Sequence, residues 1–246
     1  RMTAPTIPTS RLAMAEELYQ RFGSGTGWRR LRFWRKKYAW LLVIGGARLL
    51  KRSVDLCGSL VLMLVLSPLF LFVALAIKLT DRGPVFYWQT RVGRWGCEFP
   101  FPKFRSMVTN ADKLKDQLLE QNAHGEAGVT FKMKRDPRVT WIGRFIRKFS
   151  IDELPQLWCV FRGDMSLVGP RPPVPREVAE YTLADRRRLD AVPGLTCIWQ
   201  VSGRSDIPFP QQVQLDVEYI QSQSFWLDLL LLLRSIPAVL LGKGAY

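Results

Sequence analysis

The chain has 246 residues, 48% of them hydrophobic, which predicts one or two domains that can bury a hydrophobic core. Its 36 Lys and Arg residues exceed its 21 Asp and Glu residues, and the net charge of +15 indicates an anionic partner: nucleic acid, anionic lipid or a phosphorylated substrate. The four cysteines form no CxxC pair, and the single histidine, His124, lies in a polar loop. The composition therefore argues against a disulfide framework, a zinc site and histidine-based chemistry.

Residues 1–50 are predicted to form a basic, aromatic N-terminal extension close to a membrane. Within it, residues 28–37 are rich in tryptophan, lysine and arginine, a composition that suits either nucleic-acid phosphates or the cytoplasmic face of a bilayer. The apolar run that follows favours the bilayer.

Residues 56–77 form that apolar run, about 22 residues without a charge, which is long enough for a transmembrane helix. Basic residues flank both ends, so the positive-inside rule marks neither end as exterior. Ser67 and Pro68 stand at the middle, where proline kinks a helix and a serine hydroxyl can bond a freed carbonyl. The pattern alone leaves two alternatives open: a helix that bends and returns to the same face, or a kinked spanning helix.

A small β-hairpin is predicted next, from strands at residues 85–88 and 99–104 that flank a glycine-containing turn. A polar loop is predicted at residues 199–205. The last apolar segment, residues 225–233, is too short to span a bilayer and predicts an interfacial helix, with burial in the core as the alternative. Four further helices are predicted, at residues 111–120, 139–148, 177–189 and 211–220.

An acidic pair, Asp152 and Glu153, stands among arginines and lysines. Capping of a helix is the commoner role of such carboxylates, and Pro155 favours Asp152 as the N-cap, because proline is then tolerated in the first turn. The helix N-terminus and nearby Arg147 are expected to keep Asp152 ionised. An ionised Asp can attack phosphorus, and the neighbouring Glu153 can hold a hard divalent ion such as Mg²⁺.

Four basic residues are candidates for binding phosphate: Lys103, Arg147, Arg171 and Arg204. Arg171 is fixed between prolines in the segment 169–173, and its guanidinium suits phosphate oxygens. The alternative for each of the four is a solvated surface residue.

From about Lys51 to Tyr246 the chain resembles the bacterial sugar transferases, the monotopic phosphoglycosyl transferases. The resemblance rests on ordered blocks that include Lys51-Arg52-x-x-Asp55, Ser67-Pro68, Gln89-x-Arg91-x-Gly93, Lys103-Phe104-Arg105, Ser150-Ile151-Asp152-Glu153-Leu154-Pro155-Gln156, Val168-Gly169-Pro170-Arg171-Pro172 and Trp199-Gln200-Val201-Ser202-Gly203-Arg204.

This resemblance implies an α+β fold, mostly helical, with a re-entrant membrane helix at 56–78 kinked at Ser67 and Pro68, a small β-hairpin and interfacial amphipathic helices. Residues 51–246 would be the catalytic domain. Residues 1–50 lack the further domain and spanning helices of larger members, so a short form or the C-terminal part of a long one is expected.

The resemblance also implies a reaction, in which a sugar-1-phosphate passes from a UDP-sugar to polyprenyl phosphate with release of UMP. Asp152 would be the nucleophile that forms a phospho-sugar intermediate, and Glu153 would hold Mg²⁺. Lys103, Arg147, Arg171 and Arg204 would bind substrate. The expected setting is the cytoplasmic face of the bacterial inner membrane, with membrane lipids and a second copy of the chain as partners and no nucleic acid.

Three departures from the family's pattern concern fine geometry: Cys159 and Phe161 stand where Asn and Leu are usual, and Cys197 where Gly is common.

Two rival functions differ in their observable products. A glycosyltransferase would move only the sugar and release UDP, whereas a membrane-tethered module that binds nucleic acid or anionic lipid would show salt-sensitive binding without turnover.

Overall fold

A computed structural model describes residues 27–111, 136–203 and 206–241 of the chain. Arg204, His124 and nearly all of the helix predicted at 111–120 lie outside those residues. The fold divides into two compact units, Arg1–Lys51 and Arg52–Tyr246. In the first unit the segment 28–37 is helical, and Trp34 stacks on Tyr38 with 5.7 Å between ring centroids.

Two consecutive helices, α1 (Gly27–Val65) and α2 (Ser67–Asp81), meet at a bend. The segments Gly45–Val65 and Ser67–Asp81 are inclined by 58°. Pro68 lies in the first turn of α2, where its missing N–H costs no helical bond, and the Ser67 hydroxyl donates to the Leu64 carbonyl at 2.8 Å. Among the described residues no single helix is long and apolar enough to cross a bilayer, whereas this bent pair together meets the requirement in length and composition.

The N-terminal part of the second unit is tied to its core by two charged side chains of α1. Arg52 donates to the carbonyls of Val160 and Phe161, each at 2.7 Å, near the end of helix α4 (Leu157–Arg162). The last carbonyls of a helix lack intrahelical partners, so a cation there is favourable. Asp55 is buried and accepts from the Ser166 hydroxyl at 3.0 Å and from the Leu167 N–H at 2.8 Å.

The hairpin predicted from the sequence is confirmed, as β1 (Phe86–Val92) pairs antiparallel with β2 (Glu98–Phe104). A 3₁₀ turn, Arg94–Gly96, joins the strands. Because directly opposed residues share a face, Trp88 and Pro102 lie on one face. Tyr87 and Lys103 lie on the other. The hairpin therefore presents two surfaces of different chemistry.

A second, parallel pair of strands lies in the core and was not predicted. Strand β3 (Ser166–Val168) pairs with β4 (Gly194–Thr196), and three residues each are too few to show a periodic pattern. A Cβ on Gly194 would lie 2.0 Å from the Gly169 nitrogen, so glycine is required for the two chains to approach. The surrounding core contains Leu157, Val160, Met165, Leu167, Tyr219 and Leu231.

The charged segment 177–189, predicted as one helix, contains two short elements instead. Helix α5 (Pro175–Ala179) ends before a turn, and a 3₁₀ helix follows at Asp185–Asp190. Asp185 accepts from the Thr182 N–H at 2.9 Å and from the Thr182 hydroxyl at 2.7 Å, which stabilises a break between the two elements. The continuous-helix prediction was wrong because this local hydrogen bonding competes with helix propagation.

Three helices follow β4 in the part of the chain that the structure describes. Helix α6 (Ile198–Ser202) occupies part of the segment predicted as a polar loop, so that prediction was wrong. Helix α7 (Phe209–Ser222) confirms the helix predicted at 211–220. Helix α8 (Phe225–Leu241) is longer than the predicted apolar segment; it buries Leu231 in the core while Trp226 remains exposed.

Candidate active site

The acidic pair lies in a 3₁₀ helix, Ile151–Gln156, between α3 (Trp141–Lys148) and α4. Ser150 adopts a left-handed conformation (φ 54°) that turns the chain after α3, and the Glu153 N–H donates to the Ser150 carbonyl at 3.2 Å. The prediction that Asp152 is the N-cap was therefore wrong: Ser150 takes that position, without a side-chain bond. Pro155 is the fifth residue of this short 3₁₀ helix and leaves one of its backbone hydrogen bonds unmade, while the left-handed Ser150 starts the helix two residues earlier than predicted.

Glu153 is held by two cations. Lys103 Nζ lies 2.8 Å from Glu153 Oε1, Arg171 Nη2 lies 2.5 Å from Oε1, and Arg171 Nη1 lies 3.2 Å from Oε2. Burial would raise the pKa of Glu153, but Arg171 and Lys103 hold it well below its usual value. Glu153 is therefore ionised and fixed in orientation.

Asp152 lies beside this network but is more weakly paired. It is buried, with Lys103 Nζ 3.7 Å from Oδ2. Burial raises the pKa of Asp152 above its usual value, against the opposing charges of Lys103 and Arg147. The expectation that the helix N-terminus and Arg147 keep Asp152 ionised thus meets an opposing desolvation cost, and the two adjacent carboxyls acquire different proton affinities.

The loop 169–173 brings Arg171 to Glu153, and the hairpin holds that loop in place. Arg91 Nη1 donates to the Pro172 carbonyl at 3.0 Å, and the Val92 N–H donates to the Pro173 carbonyl at 2.9 Å. Arg91 Nε and Nη2 also donate to Gln89 Oε1, at 3.1 and 2.8 Å. Burial, followed by the charge of Arg171, lowers the pKa of Arg91 to about 10.

Of the four basic residues proposed from the sequence, the structure brings Lys103 and Arg171 into contact with the acidic pair. Arg147 is half-buried at the end of α3, and its charge acts on Asp152. The placement of Arg204 is outside the described residues.

Arg91 is an additional residue that the sequence reasoning left without a role. The register of the hairpin could have indicated it, because that register places Arg91 and Lys103 on the same face of the two strands. A correct prediction of which residues of β1 and β2 lie opposite each other would therefore have placed both Arg91 and Lys103 on the face that contacts the acidic pair.

The donor set is compatible with Mg²⁺. No cluster of three or more His, Cys, Asp or Glu that could hold a metal occurs in the described parts of the chain. Mg²⁺, however, commonly binds one or two carboxylates and takes its other ligands from water and substrate phosphates. From the described residues, Glu153 Oε2 accepts one hydrogen bond, from Arg171, which leaves that oxygen capacity for a further ligand beside Asp152.

Sequence comparison places the chain in a known family. Residues 46–242 match the family described as "Bacterial sugar transferase". The chain belongs to this family. The resemblance inferred from the ordered motifs is confirmed.

Several curated proteins are similar to the chain. It is 46% identical over 196 residues to a galactosyl transferase, CpsE, of Streptococcus agalactiae, covering 79% of this chain and 43% of that protein. It is 42% identical over 205 residues to the exopolysaccharide production protein ExoY of Rhizobium meliloti, covering 82% and 90%. The undecaprenyl-phosphate galactose phosphotransferase of Salmonella typhimurium is 45% identical over 203 residues, with 81% and 42% covered. The match thus spans less than half of the first and third relatives.

Proposed function

We propose that this sugar transferase moves a sugar-1-phosphate from a UDP-sugar to polyprenyl phosphate and releases UMP. The observation that carries the proposal is the buried Asp152 beside a Glu153 that Lys103 and Arg171 hold in place. Similarity to a protein named undecaprenyl-phosphate galactose phosphotransferase, and to one named UDP-galactose-lipid carrier transferase, supports the choice of donor and acceptor.

The proposed chemistry has two displacements at one phosphorus. An oxygen of Asp152 attacks the phosphorus that carries the sugar, the new O–P bond forms, and the bond to UMP breaks so that UMP leaves with the electron pair. An oxygen of polyprenyl phosphate then attacks the same phosphorus and releases the Asp152 carboxylate. Each step conserves the sugar–phosphate bond, which separates this reaction from transfer of the sugar alone.

The cations and the acidic pair have distinct tasks in this proposal. Lys103 and Arg171 stabilise negative charge on the phosphoryl oxygens, and Arg147 and Arg204 contribute to the same binding. Glu153, with Asp152 adjacent, would hold Mg²⁺, which when bound neutralises phosphate charge. Burial of Asp152 limits competition from water for the acyl-phosphate.

The proposed setting is the cytoplasmic face of the bacterial inner membrane. The bent pair α1–α2 supports a re-entrant attachment. Basic residues flank the apolar run at both ends, and positively charged flanks favour the cytoplasmic face for each end. An acceptor with a lipid chain would then meet the nucleotide-sugar at the bilayer surface, as the first membrane step of polysaccharide or glycoconjugate synthesis.

The nucleotide product tests this proposal. The purified protein in lipid nanodiscs is incubated with a panel of UDP-sugars, polyprenyl phosphate and Mg²⁺, and the nucleotide released is identified by chromatography. UMP is expected, with no release by Asp152→Asn. Release of UDP would exclude phosphosugar transfer, and salt-sensitive nucleic-acid binding without turnover would favour the binding-module alternative.

A further inference from the structure

Lys103 lies between the two carboxylates of the acidic pair. Its Nζ is 2.8 Å from Glu153 Oε1 and 3.7 Å from Asp152 Oδ2. The proposed function gives Lys103 and Glu153 tasks that compete while this ion pair persists, because Lys103 binds phosphoryl oxygens and Glu153 holds a divalent ion. One of the two side chains therefore has to change its partner when the substrates bind.

Arg171, the second cation on Glu153, is held more firmly than Lys103. Its guanidinium bonds both oxygens of the Glu153 carboxylate, Nη2 to Oε1 at 2.5 Å and Nη1 to Oε2 at 3.2 Å. The hairpin also fixes the loop that carries Arg171, through the Pro172 and Pro173 carbonyls. Lysine, by contrast, bears one nitrogen on a flexible four-carbon stem. Lys103 is therefore the cation that can leave Glu153 while Arg171 keeps the carboxylate oriented.

The charge balance of the site indicates what draws Lys103 away. The two carboxylates of the acidic pair and the two cations on Glu153 carry charges that sum to zero when both carboxyls are ionised. The four side chains are between 11% and 23% exposed: Asp152, Glu153, Lys103 and Arg171. A divalent ion alone would leave two uncompensated positive charges in this largely buried site, which is costly. The diphosphate of a nucleotide-sugar brings two negative charges and restores neutrality.

We propose that Lys103 couples metal binding to donor binding by exchanging partners. Lys103 occupies Glu153 Oε1 until the donor diphosphate draws its ammonium group away, and Glu153 then accepts the divalent ion. This inference rests on the proposed function and adds an interdependence of the two ligands. The divalent ion alone competes with Lys103 and binds weakly. Because coupling between two ligands is reciprocal, the ion raises the affinity for the donor by the factor by which the donor raises the affinity for the ion.

Binding of Mn²⁺, which favours the same oxygen ligands as Mg²⁺, tests the competition without turnover. The protein in phosphatidylcholine nanodiscs is titrated with Mn²⁺, and the free ion is measured by electron paramagnetic resonance. Lys103→Met removes the competing cation, so in the absence of nucleotide this variant should bind Mn²⁺ about 10-fold more tightly than the wild type. Simple bridging of the ion by phosphates, without partner exchange, predicts no such gain.

The same titration with α,β-methylene-UDP, whose carbon bridge resists cleavage, measures the coupling. The analogue should tighten Mn²⁺ binding to the wild type about 10-fold, after subtraction of Mn²⁺ bound to nucleotide alone, and should tighten it less in Lys103→Met.

Three control variants accompany Lys103→Met, each with its thermal midpoint. Glu153→Gln should lose the Mn²⁺ site, which separates it from adventitious binding. Arg94→Met removes a hairpin cation that donates to the Asp190 carbonyl, and its Mn²⁺ affinity should equal that of the wild type. Lys103→Gln repeats the loss of charge with a polar side chain and should match Lys103→Met. Wild-type Mn²⁺ affinity in a folded Lys103→Met or Lys103→Gln protein would overturn the inference.

The two proposals fail differently. A wild-type protein that releases no UMP from any UDP-sugar contradicts the proposed function. A wild-type protein that does release UMP, together with Lys103 variants whose Mn²⁺ affinity is unchanged without nucleotide, overturns the partner exchange alone.

Discussion

Arg91 is one of two hairpin residues that hold the loop carrying Arg171, the other being Val92, and Arg91→Lys tests its role. The guanidinium donates to two acceptors at once, the Gln89 side chain and the Pro172 carbonyl. Lysine keeps the charge but has one nitrogen on a flexible stem and cannot reproduce the planar fork. The substitution therefore weakens the side-chain anchor of the loop that carries Arg171, while the Val92 N–H bond to Pro173 remains and the local charge changes little.

The size of the effect follows from the lost hydrogen bond. A hydrogen bond from a charged group contributes about 1.5–3 kcal/mol. If the loss falls on the transition state, because Arg171 no longer orients Glu153, kcat should fall about 10- to 150-fold. Arg94→Lys is the matched control, since Arg94 lies in the hairpin turn and donates to the Asp190 carbonyl at 3.1 Å, away from the acidic pair.

The assay is the initial rate of UMP release, measured with the thermal midpoint of each variant. If Arg91 acts through Arg171, then Arg91→Lys should change the rate by less than about twofold in an Arg171→Ala background. A purely structural role would lower the thermal midpoint and reduce the rate in both backgrounds. An Arg91→Lys variant with the wild-type rate would refute the reasoning.

Two further predictions concern the core. Burial raises the pKa of the Cys159 thiol to about 12 and that of the Cys197 thiol well above its usual value, so both thiols stay protonated at pH 8. Of Cys97, Cys159 and Cys197, iodoacetamide should therefore modify only the exposed Cys97 until the protein is unfolded. Modification of Cys159 at the rate of Cys97 in the native protein would contradict the fold. Arg188 Nη2 lies 2.6 Å from Asp216 Oδ2, and both side chains are buried. Arg188→Met leaves Asp216 as an unpaired buried charge and should lower the free energy of unfolding by about 3–5 kcal/mol in detergent melts, whereas the double variant Arg188→Met/Asp216→Leu should recover most of that loss. An equal loss in the double variant would exclude the unpaired charge as the cause.

The sequence predicted the elements that have strong local signals. The hairpin has two apolar strands around a glycine-containing turn, and the bend between α1 and α2 falls where Ser67 and Pro68 interrupt an apolar run. Proline acts on its own helix, so its effect can be recognised without knowledge of the tertiary structure.

The features that the sequence did not predict depend on contacts between distant segments. Strands β3 and β4 are too short for periodicity and form because the chain can approach closely at Gly169 and Gly194. The start of the 3₁₀ helix depends on the left-handed Ser150, a conformation that residues other than glycine rarely adopt and that the sequence pattern does not indicate. Arg91 acquires a role only when the loop 169–173 is placed against the hairpin.

The site prediction had a similar limit. Adjacent carboxyls in a basic field indicated phosphate chemistry, but their unequal proton affinities arise from burial and from the two cations on Glu153. Neither burial nor ion pairing between residues 50 positions apart, as for Lys103 and Glu153, can be read from spacing.

Formation of a covalent intermediate on Asp152 is the central claim, and intact-protein mass spectrometry tests it most directly. The wild-type protein is incubated with a panel of UDP-sugars and Mg²⁺ without a lipid acceptor. A mass gain equal to one sugar phosphate less one water is expected, together with UMP, an adduct located by peptide mapping at Asp152, and no gain in Asp152→Asn. The same adduct on Asp152→Asn, or UMP that forms only when polyprenyl phosphate is present and without any adduct, would contradict the account.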